Sequence, residues 1–193
     1  VLALDMDSTL ITIECIDEIA DYAGVRGQVS AVTASAMRGE IDFRESLVRR
    51  VALLAGVPAD ALESVYRERL ELSPGAKTLL VSGGFTHFTE RLRERLGFDM
   101  AVANVLEIHD GRLTGRVLGD VVDARGKADA VAAMRRLHAA DGGIVAAIGD
   151  GANDLPMLEH AGLGIAFHAK PKLNEAADTA VSHGGLDRVL YLL

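Results

Sequence analysis

With 193 residues, 49% of them apolar and 25% charged, the chain can bury a sizeable core as one domain or one domain carrying an insertion, and disordered and fibrous classes are excluded. A formal net charge of −8 argues against sequence-independent nucleic-acid binding, and the single cysteine, Cys15, excludes an internal disulfide and a thiolate zinc cluster. With no apolar run long enough to span a membrane and no basic leader, the cytoplasm is the expected compartment, without nucleic-acid or membrane partners, and the oligomeric state is not legible.

The chain opens at Val1, without an initiator Met, on a short apolar strand that ends in Asp5-Met6-Asp7-Ser8-Thr9; a segment upstream is expected to have been removed. From Ile11 the apolar spacing turns helical for about sixty residues. Ile16, Ile19, Ala20 and Ala23 mark a first helix, with Asp17, Glu18 and Asp21 facing away and Gly24 as its stop. Val29, Val32, Ala36 and Met37 mark a second, ending at Gly39. Asp42 with Glu45 predicts a capping box for a third, lined by Leu47, Val51 and Leu54 before Gly56. Pro58 suits the first turn of a fourth, running to about Leu70, and Ser73-Pro74-Gly75 ends the helical run.

Beyond Gly75 strands and helices alternate. Strands are predicted over Thr78–Val81, Met100–Ala103, Ile144–Ile148 and Gly164–Phe167, and helices over Phe85–Leu96, Lys127–Ala140, Leu155–His160 and Leu186–Leu192. Asp110-Gly111 within Val105–Val117 predicts a small β-hairpin, and Lys170-Pro171 a turn into the last unit. The alternation implies an α/β fold with a doubly wound, mostly parallel sheet: a core of residues 1–11 and 74–193 carrying a four-helix insertion, 12–73. Ligands of such sheets sit at the carboxyl ends of the strands.

Four constellations fall there. Asp5 and Asp7, two apart in an extended chain, can face one pocket, where a cation on one and a proton on the other would relieve their repulsion; a hydrogen-bonded turn is the plainer reading. Gly149-Asp150-Gly151-Ala152-Asn153-Asp154 follows the apolar IVAAI, and oxygen donors without His or Cys suit Mg²⁺, although a glycine-rich helix cap reads equally simply. In Val81-Ser82-Gly83-Gly84-Phe85, Ser82 and the N–H groups after it can cradle a phosphate, and Gly126-Lys127 opens a helix where a lone lysine is usually solvated. Cys15 suits a small buried packing role, and His87, His109, His138, His160, His168 and His183 show no ligand spacing.

In this order, DMDST, Ser82, Lys127 and GDGAND resemble the haloacid-dehalogenase superfamily of phosphotransferases over nearly the whole chain. Within it the nearest likeness is to the family of phosphoserine phosphatases, carried by DSTLITIECIDEIA, VRRVALLAG, SPGA, VSGGF, LTGRV, GDGANDLPM and AFHAKP. The resemblance implies that Asp5 attacks the phosphate ester and that Asp7 protonates the leaving oxygen, then deprotonates the hydrolytic water. It implies Mg²⁺ on the Asp5 and Asp150 carboxylates and the Asp7 carbonyl, with Asp154 in support. Ser82, Gly83 and Lys127 would bind phosphoryl oxygens; Glu14 would take the amino group of phosphoserine, Arg50 its carboxylate by a planar fork, and Asn153 a further contact. Phe43 and Met37 fit either apolar substrate contact or core packing. The same chemistry on another small phosphomonoester, and a catalytically silent module of the same fold, are the alternatives.

Two stretches depart from the family's pattern. Only Ala-Lys-Thr-Leu-Leu-Val stands between Gly75 and Ser82, where the family has a helix and then a strand, so about 15 residues of a βα unit are expected to be missing there. The Asp141-Gly142-Gly143 turn is also short.

Overall fold

A computed structural model describes residues 2–71, 79–138 and 144–192. Residues 76–78 of the segment with the expected shortfall and the turn at 141–143 lie outside them, while residues 79–81 open a strand. Seven strands form one sheet in the order β4-β3-β2-β1-β5-β6-β7. They are β1 (Leu2–Leu4), β2 (Leu79–Phe85), β3 (Ala101–His109), β4 (Arg112–Leu118), β5 (Ala146–Gly149), β6 (Leu163–Phe167) and β7 (Thr179–Val181). Every pairing is parallel except β3 with β4, the hairpin turning at Asp110-Gly111.

The central strands are short and apolar because both of their faces are covered. Ala3, Ala147 and Ala166 face a layer holding Val131 and Met134 of α6 (Ala124–His138) and Met157 and Leu158 of α7 (Leu155–His160). Their neighbours Leu4, Ile148, Ile165 and Phe167 face the other way, onto Val181, Leu186 and Val189. Each large side chain buried in this manner contributes roughly 1.5–3 kcal/mol. β1 lies in the middle, so its carboxyl end opens between β2 and β5, where the connections leave to opposite sides.

Between β1 and β2 stand the four predicted helices, α1 (Cys15–Tyr22), α2 (Arg26–Met37), α3 (Phe43–Ala52) and α4 (Asp60–Glu68). Gly24, Gly39 and Gly56 follow the first three with positive φ, as expected of stops. Asp42 caps α3 by accepting the Glu45 N–H at 2.8 Å, but the Glu45 carboxylate turns to Arg49, so only half of the capping box forms. Ile16, Ile19, Leu47, Val51 and Leu62 are buried in a cluster that continues into Leu80, Phe85 and Phe88 of the sheet side. A backbone seam joins the insertion to the hairpin: Gly56 N–H donates to Leu113 O at 2.8 Å, Leu113 N–H to Val57 O at 2.9 Å, and Ala59 N–H to Gly111 O at 2.8 Å.

Several bounds differ from the sequence reading. β3 runs from the expected strand straight into the hairpin, because its second half pairs with β4 after its first half pairs with β2. α5 (Thr86–Leu96) starts one residue late, since Phe85 still pairs with Asn104. Pro58 precedes α4 and bridges to Arg112. α8 (Pro171–Ala176) and the three-residue β7 were not predicted, and the terminal segment is a 3₁₀ turn, Leu186–Tyr191. Glu18 and Asp21 do not simply face away: both accept from Arg69 at 2.7 Å.

Candidate active site

β1 delivers Asp5 to the middle of the sheet's carboxyl edge, anchored by Asp5 N–H on Ile148 O at 3.0 Å. The chain then leaves the sheet in a wide turn closed by Leu10 N–H on Asp5 O and Ile11 N–H on Met6 O. Strand alternation therefore does not orient Asp7; the turn does. The Asp5 carboxylate is 4% exposed; its Oδ1 accepts the Met6 N–H at 2.8 Å and the Lys127 ammonium at 2.8 Å.

Lys127 rises from the first turns of α6 and is buried, so the solvated reading of this lysine is overturned. Its Nζ also donates to Asp154 Oδ1 at 2.7 Å. Burial opposes the ammonium, but Asp154 and Asp5 outweigh it and raise its pKa. Asp154 is fully engaged: Oδ1 accepts from Lys127 and from Asn153 Nδ2 at 3.2 Å, and Oδ2 accepts the Asp150 and Gly151 N–H groups at 3.2 and 3.1 Å. Carboxylate oxygens of Asp5, Asp150 and Asp154 all lie within 4.8 Å of one another.

Three carboxylates against one ammonium leave an excess of negative charge, and burial makes it costly. Burial first, and Asp154 second, push Asp5 well above the usual carboxylate range, with Lys127 pulling down. The same two causes push Asp150 up to about 6, opposed by Lys170. An all-oxygen, anionic cluster of this kind fits a hard divalent cation, so the described residues could hold a metal ion. Of the three, Asp154 has its oxygens committed to donors, whereas no hydrogen bond to the Asp150 carboxylate is formed among the described residues, which suits Asp150 to direct coordination and Asp154 to support.

The Asp7 carboxylate is not among the grouped oxygens. Its Oδ1 accepts the Cys15 N–H at the start of α1 at 2.9 Å. Burial, then the charge of Glu14, push Asp7 up to about 7 against that hydrogen bond. Two neighbouring carboxyls thus have distinct surroundings, one beside a lysine and one beside a glutamate. Ser82 is buried within β2, just past its regular pairing with β3 at Val81, and its Oγ accepts the Gly84 N–H at 2.8 Å. Gly84 has no room for a side chain: a Cβ would stand 2.6 Å from Asp7 Oδ2 and 3.0 Å from Ser82 Oγ. Phe43, on the insertion, lies over Gly83, 3.0 Å from where a Cβ would be.

Above the edge, Glu14 is exposed and accepts the Ser8 hydroxyl at 2.8 Å. Ser8 reaches it from a left-handed conformation, φ 57°. Arg50 is half-buried, its Nε on Ser46 O at 3.3 Å, and it feels the charges of Asp17, Glu14 and Asp7, which oppose the lowering of its pKa by burial. Glu45 and Asp42 are engaged by Arg49 and the α3 cap. The structure thus brings Asp5, Asp7, Ser82, Gly83, Lys127, Asp150 and Asn153 to one edge and hangs Glu14 and Arg50 over it. Cys15 is buried, as expected, while Met37 is 72% exposed and takes no part in the core.

A haloacid dehalogenase-like hydrolase family model matches residues 2–159. A phosphoserine phosphatase of Polaromonas sp. is 50% identical over 209 residues that take in all of this chain and 89% of the relative. One from Streptomyces coelicolor is 53% identical over all of this chain, which spans 50% of that relative. A solved structure described as a phospho-aspartyl intermediate analogue of phosphoserine phosphatase is 37% identical, with a TM-score of 0.88 over 100% of this chain and 97% of the other.

Proposed function

The chain belongs to the haloacid dehalogenase-like hydrolase family, and on that premise we propose that it is a Mg²⁺-dependent phosphoserine phosphatase, which releases L-serine and phosphate from O-phospho-L-serine at the last step of serine synthesis. The observation that carries the reading is the buried Asp5 carboxylate, 2.8 Å from Lys127 and within 4.8 Å of the oxygens of Asp150 and Asp154 at the central strand's carboxyl end. The names of its relatives support the substrate, and the cytoplasm remains the proposed compartment.

In this reading Asp5 attacks phosphorus, forming an acyl phosphate as the ester P–O bond breaks. Asp7, whose surroundings favour a proton, gives it to the departing serine oxygen. It then takes a proton from the water that attacks the same phosphorus and regenerates the Asp5 carboxylate. Ser82 and the Gly83 N–H hold phosphoryl oxygens, and Lys127 both holds one and keeps Asp5 oriented. Asp5, Asp150 and the Asp7 carbonyl are the proposed ligands of Mg²⁺, with Asp154 in support; the cation would supply positive charge to the nucleophile and phosphoryl group together.

Residues 12–73 act as a cap over a core of 1–11 and 74–193, and set substrate choice. Arg50 takes the serine carboxylate and Glu14 the amino group, with Asn153 contributing a further contact; the positive charge of Arg50 among Asp17, Glu14 and Asp7 supports giving it the anionic group. The test is phosphate release from L-phosphoserine and a panel of phosphomonoesters, with Mg²⁺ or chelator. Phosphoserine should be preferred and chelator should stop turnover; no release from any ester would point to a silent module, and preference for another ester would withdraw the roles of Glu14 and Arg50.

A further inference from the structure

β2 and β3 pair regularly at Leu80↔Ala101 and Val81↔Val102, then resume only at Phe85↔Asn104. Three residues of β2, Ser82, Gly83 and Gly84, therefore stand opposite Ala103 alone. The bulge throws the proposed phosphate-binding turn out of the ladder and takes the Gly83 carbonyl from its strand partner. The Asn104 side chain replaces what is lost: its Nδ2 donates to Gly83 O at 2.8 Å. Its other end reaches the connection from β4 into α6, where Oδ1 accepts the Val122 N–H at 2.8 Å, and Nδ2 lies 3.4 Å from Val122 O. Asn104 is 1% exposed.

Both partners are backbone groups of fixed polarity, so the carboxamide has one satisfactory orientation. Val122 directly precedes Asp123, which caps α6 by accepting the Arg125 and Gly126 N–H groups at 3.0 Å and, through its carbonyl, the Lys127 N–H at 2.9 Å. One side chain thus ties the turn bearing Ser82 and Gly83 to the helix entry that aims Lys127. No other residue type offers a donor and an acceptor at this reach: Asp lacks the donor, Leu lacks both, and Gln is one methylene too long.

We propose that Asn104 is a positioning residue for phosphoryl transfer, its carboxamide setting the separation between the Ser82–Gly84 turn and Lys127. The inference rests on the proposed roles of those residues as phosphoryl ligands. Transition-state donors act through placement, and a shift of about 1 Å costs on the order of 100-fold in rate.

The test compares Asn104→Asp, which keeps the shape but turns an acceptor towards two carbonyls, and Asn104→Leu with Leu106→Ala, which removes core volume from the same strand without touching either loop. For both Asn104 variants kcat should fall roughly 30- to 300-fold, by the same factor with phosphoserine and with p-nitrophenyl phosphate, because Glu14 and Arg50 are on other elements. Inorganic phosphate should inhibit several-fold more weakly, while Leu106→Ala loses melting temperature and keeps its kcat. Retained kcat and phosphate affinity in either Asn104 variant would overturn the proposal, as would an equal kcat loss in Leu106→Ala. Should the wild type hydrolyse neither ester, yet bind phosphate more tightly than the Asn104 variants by titration calorimetry, the functional reading fails and the positioning role stands.

Discussion

Replacing Lys127 with Met keeps the aliphatic stem and deletes a buried charge held at 2.8 Å from Asp5 and 2.7 Å from Asp154. At an effective dielectric of about 20, each contact is worth about 6 kcal/mol of attraction. Desolvation of the ammonium offsets much of that, and breaking a buried pair on one side typically costs roughly 3–5 kcal/mol. The loss should depend on pH. Asp5 already binds its proton well above the usual range, so it contributes stability that is present at acid pH and lost as pH rises through its folded-state pKa. Without Lys127 that pKa rises further, and the destabilisation grows with pH. The Lys127 contribution itself is constant below the unfolded lysine value of about 10.4, so it adds no slope of its own between pH 5 and 8. Urea unfolding of both proteins in chelator at pH 8 and pH 5 should show a deficit of roughly 3–5 kcal/mol at pH 8 that is smaller at pH 5. An equal deficit at both pH values, or one below about 1 kcal/mol at pH 8, would refute the electrostatic account.

Gly84→Ala should cut turnover on the order of 100-fold, because the added methyl would stand 2.6 Å from Asp7 Oδ2 and from the buried Met6 side chain and 3.0 Å from Ser82 Oγ, displacing all three; unchanged turnover would mean that Asp7 is not needed where it stands. Asp7→Asn should lose roughly 10²- to 10⁴-fold with phosphoserine, yet still release one equivalent of nitrophenol in a burst from p-nitrophenyl phosphate, whose leaving group needs no acid. In the unaltered enzyme, phosphorylation by phosphoserine should slow as pH rises past about 7, where Asp7 gives up its proton, and phosphorylation by the aryl ester should not, which rapid-quench kinetics can read. Gly115→Val places its Cβ 2.9 Å from that of Ala55 at φ +82°, and should lower the melting temperature by roughly 4–10 °C through strain and overpacking at the seam between hairpin and insertion; calorimetry showing no shift would mean that the seam gives way freely.

Which of these features the sequence disclosed depends on how far apart their causes lie along the chain. Asp5 and Asp150 were legible because each follows an apolar strand, and a parallel sheet gathers such ends on one edge; Ser82 follows an apolar run too, although β2 continues past it to Phe85. Arg50 was assigned through the motif VRRVALLAG that carries it; the structure shows how it differs from its neighbour, since Arg49 pairs with Glu45 one turn away and Arg50 does not. The burial of Lys127 could not be read from its own neighbourhood, because the two carboxylates that make burial tolerable arrive from residues 5 and 154.

Asn104 and the seam between residues 56–59 and 111–113 went unread for a related reason. A polar residue inside AVANVL is a signal that something must satisfy it, but its partners, the Gly83 carbonyl and the Val122 amide, are backbone groups with no sequence signature. The seam is likewise made of Gly56, Val57 and Ala59 main chain against the hairpin's main chain, so side-chain patterning is silent about it. Together they constrain how the insertion can move. A rigid insertion swinging away from the sheet must either break three backbone hydrogen bonds to the hairpin or carry the hairpin with it. In the second case the strain falls on β3, whose Asn104 holds the Ser82–Gly84 turn to the entry of α6. Cap motion and the placement of Ser82 and Lys127 would then be mechanically coupled through one strand, and the Gly115 and Asn104 substitutions probe the two ends of that coupling.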